Sequence, residues 1–243
     1  MATIKDETIT RLQAVYLIRA LLHELKLKDL AEILEIDKTV LSKYSNFYFL
    51  PNYNKSKYII NKLTSTKIVQ DILNSYIKIL VNKSMLEYPD IHYLLSINND
   101  LVLFYILNLS RKLIDTPVDR IITVEGGGLY VASILSSILR TEISYAIRDK
   151  YIPSSYVEYI RPESKMYSGY IALPNYSVRK GERVLIVDDI IITGDTIITL
   201  YRILRKIKNI YITSLASLIA ISERVAKNIE SETGFKLTCE ICG

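Results

Sequence analysis

The segment VLIVDDIIITGDT, residues Val184–Thr196, decides how the rest of the chain is interpreted. It begins with an uninterrupted apolar run, which is typical of a strand buried on both faces of a parallel sheet. Two acids, Asp188 and Asp189, follow directly. After three isoleucines, the turn into the next helical pattern consists of Thr193, Gly194, Asp195 and Thr196. Because open α/β sheets bind ligands at the carboxyl ends of their strands, this segment predicts a ligand site.

The residue types in this segment suit a sugar phosphate. The adjacent carboxylates of Asp188 and Asp189 are acceptors for the 2′ and 3′ hydroxyls of a ribose, directly or through Mg²⁺. The turn after them offers two threonine hydroxyls, a glycine that permits close backbone approach, and the N-terminus of a helix. This combination predicts an anion site for a 5′-phosphate.

The same segment closely resembles the signature of type I phosphoribosyltransferases, in which four apolar residues, two acids and three variable residues precede TGDT. The resemblance extends over about Pro89–Ser222 and implies an α/β fold with a parallel sheet. It implies phosphoribosyl binding by the two acids and the turn, with phosphoribosyl pyrophosphate or a nucleotide as ligand. It also implies Mg²⁺ as cofactor, held by Asp188 and Asp189.

Two further segments stand where that family has its pyrophosphate contacts. One is the basic segment Arg148–Lys150 at the end of the predicted strand Ser144–Arg148. A glycine-rich loop follows the predicted strand Arg120–Val124 and consists of Glu125, Gly126, Gly127 and Gly128. Its glycines let backbone amides face a diphosphate without interference from Cβ atoms. The resemblance thus implies a set of catalytic residues: Glu125, Arg148, Lys150, Asp188 and Asp189. The competing interpretation of Arg148 and Lys150 is ordinary surface charge.

The segments around the site are less specific. Residues Tyr151–Tyr176 resemble the family's mobile loop that closes over the ligand. The Glu125 loop is more similar to adenine- and xanthine-type enzymes than to orotate enzymes, which favours a purine without naming it. We expect a helix and a terminal strand over Glu223–Gly243. That strand carries Cys239 and Cys242, interpreted as ordinary strand residues rather than a redox dithiol, since a zinc site would need a second pair of ligands.

The N-terminal third has a different composition. All eight glycines lie at or after Gly126. Residues 1–84 hold 13 Lys and Arg against 8 Asp and Glu, whereas the remaining residues hold 18 of each. The strand pattern begins only near Val118, and before it the chain reads as successive helices. We therefore predict an all-α domain over residues 1–84 and the phosphoribosyltransferase-like domain over residues 85–243.

Within the helical third, apolar and small residues around Ala31 indicate two short helices that cross. Glu35 occupies the turn between them, and Asp37 is a candidate N-cap of the second helix. The region Thr8–Leu63 resembles a helix-turn-helix of the repressor-like family. This resemblance implies double-stranded DNA as partner and contacts from the exposed side of the second helix. The residues on that side are Lys38, Thr39, Ser42 and Lys43. The alternative is a helical hairpin that serves only dimerisation.

Three functions follow from these parts. The preferred hypothesis is a homodimeric DNA-binding transcription regulator, resembling the bacterial purine repressor and archaeal sugar-metabolism regulators, that senses phosphoribosyl pyrophosphate or a purine nucleotide. The alternative is a catalytically active purine phosphoribosyltransferase with an accessory helical domain. The third is a structural or RNA-binding module with a vestigial pocket. The sequence has no apolar run long enough for a membrane span and no signal peptide, so we expect a cytoplasmic protein.

Overall fold

The computed structural model describes residues 4–81, 91–150, 152–160 and 169–242. Cα packing divides the chain into two compact units, Met1–Arg111 and Lys112–Gly243. The division lies further along the chain than residues 84 and 85, where composition changes. The reason is that the helix beginning at Ile91 contributes to the first unit, in which Arg19 Nε donates to Asp100 Oδ1 at 2.8 Å.

The described part of the N-terminal unit is helical. Its helices are α1 (Ile4–Leu21), α2 (Leu27–Leu34), α3 (Lys38–Ser45), α4 (Tyr53–Ser65), α5 (Lys67–Val81) and α6 (Ile91–Leu113), which extends past the division. Side chains of α1 and α4 form much of the core, with Ile18 and Leu21 of α1 and Ile59 and Leu63 of α4 fully buried. Burial of these apolar faces, rather than helix propensity, stabilises helices of this length.

The turn between α2 and α3 has Glu35 and Asp37 at the places that the sequence predicts. Glu35 adopts a left-handed conformation with φ 52°, and the Ile36 N–H donates to the carbonyl of Ala31 at 3.1 Å. The Asp37 carboxylate caps α3 by accepting from the backbone N–H groups of Thr39 and Val40. These bonds satisfy donors that a helix start leaves unpaired, so both local predictions are confirmed.

The second unit is an α/β structure, as predicted. Its helices are α7 (Gly127–Leu139), α8 (Asp195–Arg205) and α9 (Glu223–Thr233). Its strands are β1 (Arg120–Val124), β2 (Glu142–Arg148), β3 (Ser155–Tyr159), β4 (Tyr170–Pro174), β5 (Arg183–Ile191), β6 (Tyr211–Ala220) and β7 (Leu237–Cys242). They form one sheet in the order β3-β4-β2-β1-β5-β6-β7, in which β3 and β4 are antiparallel additions to a parallel core.

The connections of this sheet place a crevice at the site. The chain moves from β1 through α7 to β2 on one side, and from β5 through α8 to β6 on the other. Right-handed crossovers in opposite directions put α7 and α8 on opposite faces of the sheet. The strand order therefore reverses between β1 and β5, and the carboxyl ends of these two strands border the crevice where such sheets bind ligands.

Two features lie at the margins of the sheet. The described flanks of the segment that resembles a mobile loop form the β3–β4 hairpin, while Tyr151 and residues 161–168 lie outside the described residues. Cys239 and Cys242 lie on the terminal strand β7, as expected. They are joined as a disulfide with Cα atoms 6.0 Å apart, so the interpretation as ordinary strand residues was wrong. None of the helices in the described ranges combines the length and apolarity that a bilayer crossing requires.

A buried ion pair ties the start of β1 to the start of β5. The Arg120 guanidinium donates through Nε and Nη2 to the two carboxylate oxygens of Glu182, each at 2.8 Å. Their side chains are 5% and 13% exposed. The bond from Arg120 holds the pKa of Glu182 below its usual range. The pKa of Glu182 is thus lower in the folded than in the unfolded state. The ion pair therefore stabilises the fold fully at pH values above the unfolded-state pKa, and this stabilisation is lost as the pH falls from the unfolded-state pKa through the folded-state pKa.

We expect Glu182→Gln to lower the free energy of unfolding by about 3 kcal/mol at pH 7, since it leaves the Arg120 charge buried without its partner. Denaturant unfolding measures this change, and the difference from the wild type should shrink as the pH is lowered through the acidic range. The control is Glu223→Gln, which breaks an exposed pair with Lys227 and should change stability little. Equal effects of the two substitutions would contradict the prediction.

Candidate functional site

A cavity of about 230 Å³ opens at the carboxyl end of β5. Its lining consists of Arg148, Asp188, Asp189, Ile190, Ile191, Ile192, Thr193, Gly194 and Thr196. The segment VLIVDDIIITGDT thus supplies most of the lining, because β5 runs directly into the turn that starts α8. The strand is buried from Val184 to Val187 and becomes half-buried at the two acids. The apolar run anchors the strand and the polar residues after it face the cavity.

The two acids are crowded in this position. The backbone N–H of Asp189 donates to Asp188 Oδ1 at 3.0 Å, which fixes one carboxylate against the main chain of the next residue. Loss of solvation at the end of β5, followed by the charge of Asp189, raises the pKa of Asp188 well above its usual range. The hydrogen bond from the Asp189 N–H, and after it the Arg148 guanidinium, oppose this rise in the pKa. A pair of carboxylates held in this way favours a ligand that brings hydrogen-bond donors or positive charge.

The turn after the acids prepares the start of α8. Gly194 precedes the helix with φ 87°, a conformation that suits glycine, and its carbonyl accepts from the Ile198 N–H at 3.0 Å. Thr193 Oγ1 accepts from the Asp195 N–H at 3.3 Å. The first turn of α8 therefore presents backbone N–H groups beside two threonine hydroxyls at the cavity, an arrangement suited to an anion.

The glycine-rich loop reaches the same crevice from β1. Gly126 has φ 121° and precedes α7, and the loop after it brings Gly128 against β5. A Cβ atom on Gly128 would lie 2.4 Å from Thr123 Oγ1 and 3.0 Å from Asp188 Oδ1. The third glycine is thus required by close packing between α7 and the acid-bearing strand. The sequence pattern, interpreted through the backbone amides of the glycines, did not predict this contact.

Of the basic residues, Arg148 lines the cavity, whereas Lys150 is exposed beyond the end of β2. The Arg148 guanidinium donates through Nη2 to Thr196 Oγ1 at 3.4 Å. Its backbone N–H donates to Glu125 Oε1 at 2.8 Å. Glu125 therefore holds the end of β2 in place, and through it the position of Arg148. The assignments of catalytic and binding roles to these residues remain predictions.

Sequence reasoning did not single out several residues that the structure brings to the site. Ile190, Ile191 and Ile192 line the cavity, although in the sequence they appear only as variable positions between the acids and TGDT. Thr123 approaches Gly128 from β1, and it is fully buried. Because side chains alternate along a strand, the sequence indicates that Thr123 lies on one face of β1. Which loop packs against that face depends on the strand order, which the sequence does not give.

The parallel sheet with a crevice at its reversal point places the second unit among the α/β proteins that bind ligands at the carboxyl ends of their strands. Comparison with known families is more specific. The family described as "Phosphoribosyl transferase domain" matches residues 95–237. The chain therefore belongs to the phosphoribosyltransferase family, which confirms the resemblance seen in the sequence. Phosphoribosyl transfer is accordingly the class to which any catalytic activity of the chain belongs.

Individual relatives agree with this family. The chain is 33% identical over 130 residues to a hypoxanthine/guanine phosphoribosyltransferase of Methanococcus vannielii, in a match that covers 52% of the chain and 65% of the relative. A protein of the same name from Methanothermus fervidus is 27% identical over 173 residues, which covers 65% of the chain and 85% of the relative. The chain thus spans just under two thirds of the M. vannielii relative, and more of the second.

The fold is also that of a solved purine enzyme. The adenine phosphoribosyltransferase of Thermoanaerobacter pseudethanolicus superposes with a TM-score of 0.55 at 19% identity, which covers 64% of this chain and 88% of that structure. At this identity the similarity establishes the fold alone.

The interpretation as a DNA-binding transcription regulator was wrong. The relatives are named as purine phosphoribosyltransferases, which supports the catalytic alternative instead. Leu30, Leu34 and Leu41, part of the pattern taken for a helix-turn-helix, are fully buried. Such a pattern reports how two short helices pack and does not depend on DNA. The residues assigned to DNA contacts are exposed or half-buried on α3, as polar helix residues commonly are: Lys38, Thr39, Ser42 and Lys43.

Proposed function

We propose that the chain transfers the 5-phosphoribosyl group of phosphoribosyl pyrophosphate to a purine base, with release of pyrophosphate. The observation that carries the proposal is the cavity at the end of β5, where the acid pair, the start of α8 and Arg148 surround one space. The names of the relatives favour hypoxanthine or guanine as the base. The proposed activity and substrate of the whole protein thus rest on the cavity and on the names of the relatives together.

Each part of the cavity has a role in this proposal. Asp188 and Asp189 accept hydrogen bonds from the ribose hydroxyls, and the backbone N–H groups at the start of α8 bind the 5′-phosphate with Thr193 and Thr196. Arg148 and the loop Gly126–Gly128 face the pyrophosphate. By holding the ribose and its leaving group in one orientation, these residues convert a bimolecular encounter into a positioned reaction.

The acid pair also fits Mg²⁺. Both residues offer hard carboxylate oxygens, and Mg²⁺ in phosphate sites commonly takes one or two carboxylates and completes its shell with substrate oxygens and water. Within the described residues there is no group of three or more His, Cys, Asp and Glu that suits a metal, so a fully protein-built cage is not offered. When bound, the ion would neutralise charge on the pyrophosphate.

A direct assay tests the proposed function. Incubated with phosphoribosyl pyrophosphate and Mg²⁺, the protein is expected to release pyrophosphate and form the matching nucleotide with hypoxanthine or guanine. Chromatography of the nucleotide product and a coupled pyrophosphate assay give two independent readouts, and adenine and orotate serve as comparison bases. Failure to form any nucleotide with hypoxanthine, guanine, xanthine or adenine would overturn the proposal.

A further inference from the structure

A buried hydroxyl on the neighbouring strand β6 contacts the backbone of the acid pair. Ser217 lies on β6, where it is the register partner of Asp188, and it is fully buried. Its Oγ lies 3.0 Å from the carbonyl oxygen of Asp189 and 2.7 Å from that of Ile219. A serine hydroxyl has one hydrogen to donate, so the two carbonyls share it. The side chain therefore contacts the backbone of the site without facing the cavity.

The main chain of Asp189 is held by side chains at both of its polar groups. Its N–H donates to Asp188 Oδ1 at 3.0 Å, and its carbonyl accepts from Ser217 Oγ at the same distance. The register of β5 and β6 runs through Asp188↔Ser217 and continues at Ile190↔Ile219, so Asp189 lies between these two pairs. Besides the pairing of the strands, a side chain that is distant in sequence therefore contributes to holding the peptide after Asp189.

We infer that Ser217 is a positioning residue for the acid pair, an inference that rests on the proposed phosphoribosyl transfer. Its hydroxyl fixes the Asp189 carbonyl, and this fixes the direction in which the Asp189 carboxylate leaves the strand. Without it, the buried Asp189 carbonyl loses a donor, while the pairing of β5 with β6 on either side still holds the strand, so the change is expected in the geometry of the acid pair. Groups that orient ligating residues from behind typically change metal affinity or activity by about 10–100-fold when they are removed.

The chain offers a matched control on the same pair of strands. Thr213 Oγ1, also on β6, donates to the carbonyl oxygen of Val184 on β5 at 3.2 Å. This bond has the same chemical type as that of Ser217 but lies at the opposite end of β5, away from the cavity. Removing it tests what the loss of one hydroxyl between β6 and β5 does to the sheet alone.

The experiment compares Ser217→Ala with Thr213→Val in the full chain. For Ser217→Ala we expect a KM for phosphoribosyl pyrophosphate about tenfold higher and a higher Mg²⁺ concentration for half-maximal rate. Thr213→Val should leave both quantities at their wild-type values, whatever it does to the melting temperature. Wild-type values of KM and Mg²⁺ requirement in folded Ser217→Ala would overturn the inference.

Two further measurements keep the outcome decisive. If Ser217→Ala fails to fold, Ser217→Cys replaces the hydroxyl by a weaker donor of similar size, and a smaller rise in KM is expected. If the wild type forms no nucleotide, the proposed function fails. The positioning role of Ser217 is then tested by calorimetric titration, which measures the affinity of each variant for Mg²⁺ and phosphoribosyl pyrophosphate. Weaker binding by Ser217→Ala than by Thr213→Val supports positioning, whereas equal affinities, or no binding by the wild type, overturn it.

Discussion

The double substitution Asp188→Asn with Asp189→Asn is expected to reduce nucleotide formation by about 10³-fold or more, while the protein stays folded. Both acids line the cavity, and asparagine keeps the size of each side chain but removes its charge. The ribose hydroxyls lose charged acceptors, and interactions of this kind with a reacting group are each worth about 10²–10³-fold in rate. Initial rates of pyrophosphate release with a purine base measure the loss.

Asp115→Asn provides the control for this pair, because Asp115 is exposed between α6 and β1 and does not line the cavity. It should retain the wild-type rate. Circular dichroism of all variants establishes that they are folded. A double variant that retains more than a tenth of wild-type turnover would place the reaction elsewhere in the molecule.

The single substitution Asp188→Asn is expected to stabilise the unliganded protein, although it removes a charged group from the site. Burial and the neighbouring charge raise the folded-state pKa of Asp188 above its unfolded value, so the stability of the unliganded protein falls as the pH rises through that interval. Asparagine removes this penalty and keeps an Oδ1 acceptor for the Asp189 N–H. The unliganded variant is therefore expected to melt at a higher temperature than the wild type at pH 7. Such a gain at the expense of activity is common at functional sites.

Gly128→Ala is expected to have the second largest effect. The new methyl group would lie 2.4 Å from Oγ1 of the fully buried Thr123 and 3.0 Å from Asp188 Oδ1. The start of α7 must move away from β1 and β5, at a cost of about 1–3 kcal/mol in stability. Because a displacement of about 1 Å at a reacting centre can cost 10²-fold in rate, kcat/KM should fall by about that factor.

A double variant separates the two contacts of that methyl group. Thr123→Ala removes the hydroxyl, so Gly128→Ala combined with Thr123→Ala should recover part of the lost stability relative to the sum of the single effects. Activity should recover less, since the contact with Asp188 remains. Strict additivity of the two stability changes in thermal or denaturant unfolding would show that the predicted clash does not exist.

Local patterns predicted those parts of the protein whose partners are close in sequence. The apolar run of β5, the acids after it and the glycine before α8 were expected at their observed places, because a strand end and a helix start are determined by adjacent residues. The same holds for the Asp37 cap and the turn at Glu35. Local patterns did not predict the function of the helical region. Its buried leucines satisfy packing between helices, and the same pattern serves helices of many functions.

The sequence by itself therefore determined the α/β class, the phosphoribosyl signature and the position of the acid pair in the chain. The tertiary structure decided that Gly128 packs against Asp188, that Ser217 holds the Asp189 carbonyl, and that α6 contributes to the helical unit. These contacts join residues far apart in the chain. They depend on strand order and register, which follow from how the whole sheet buries its apolar faces. A local sequence pattern does not determine either of these.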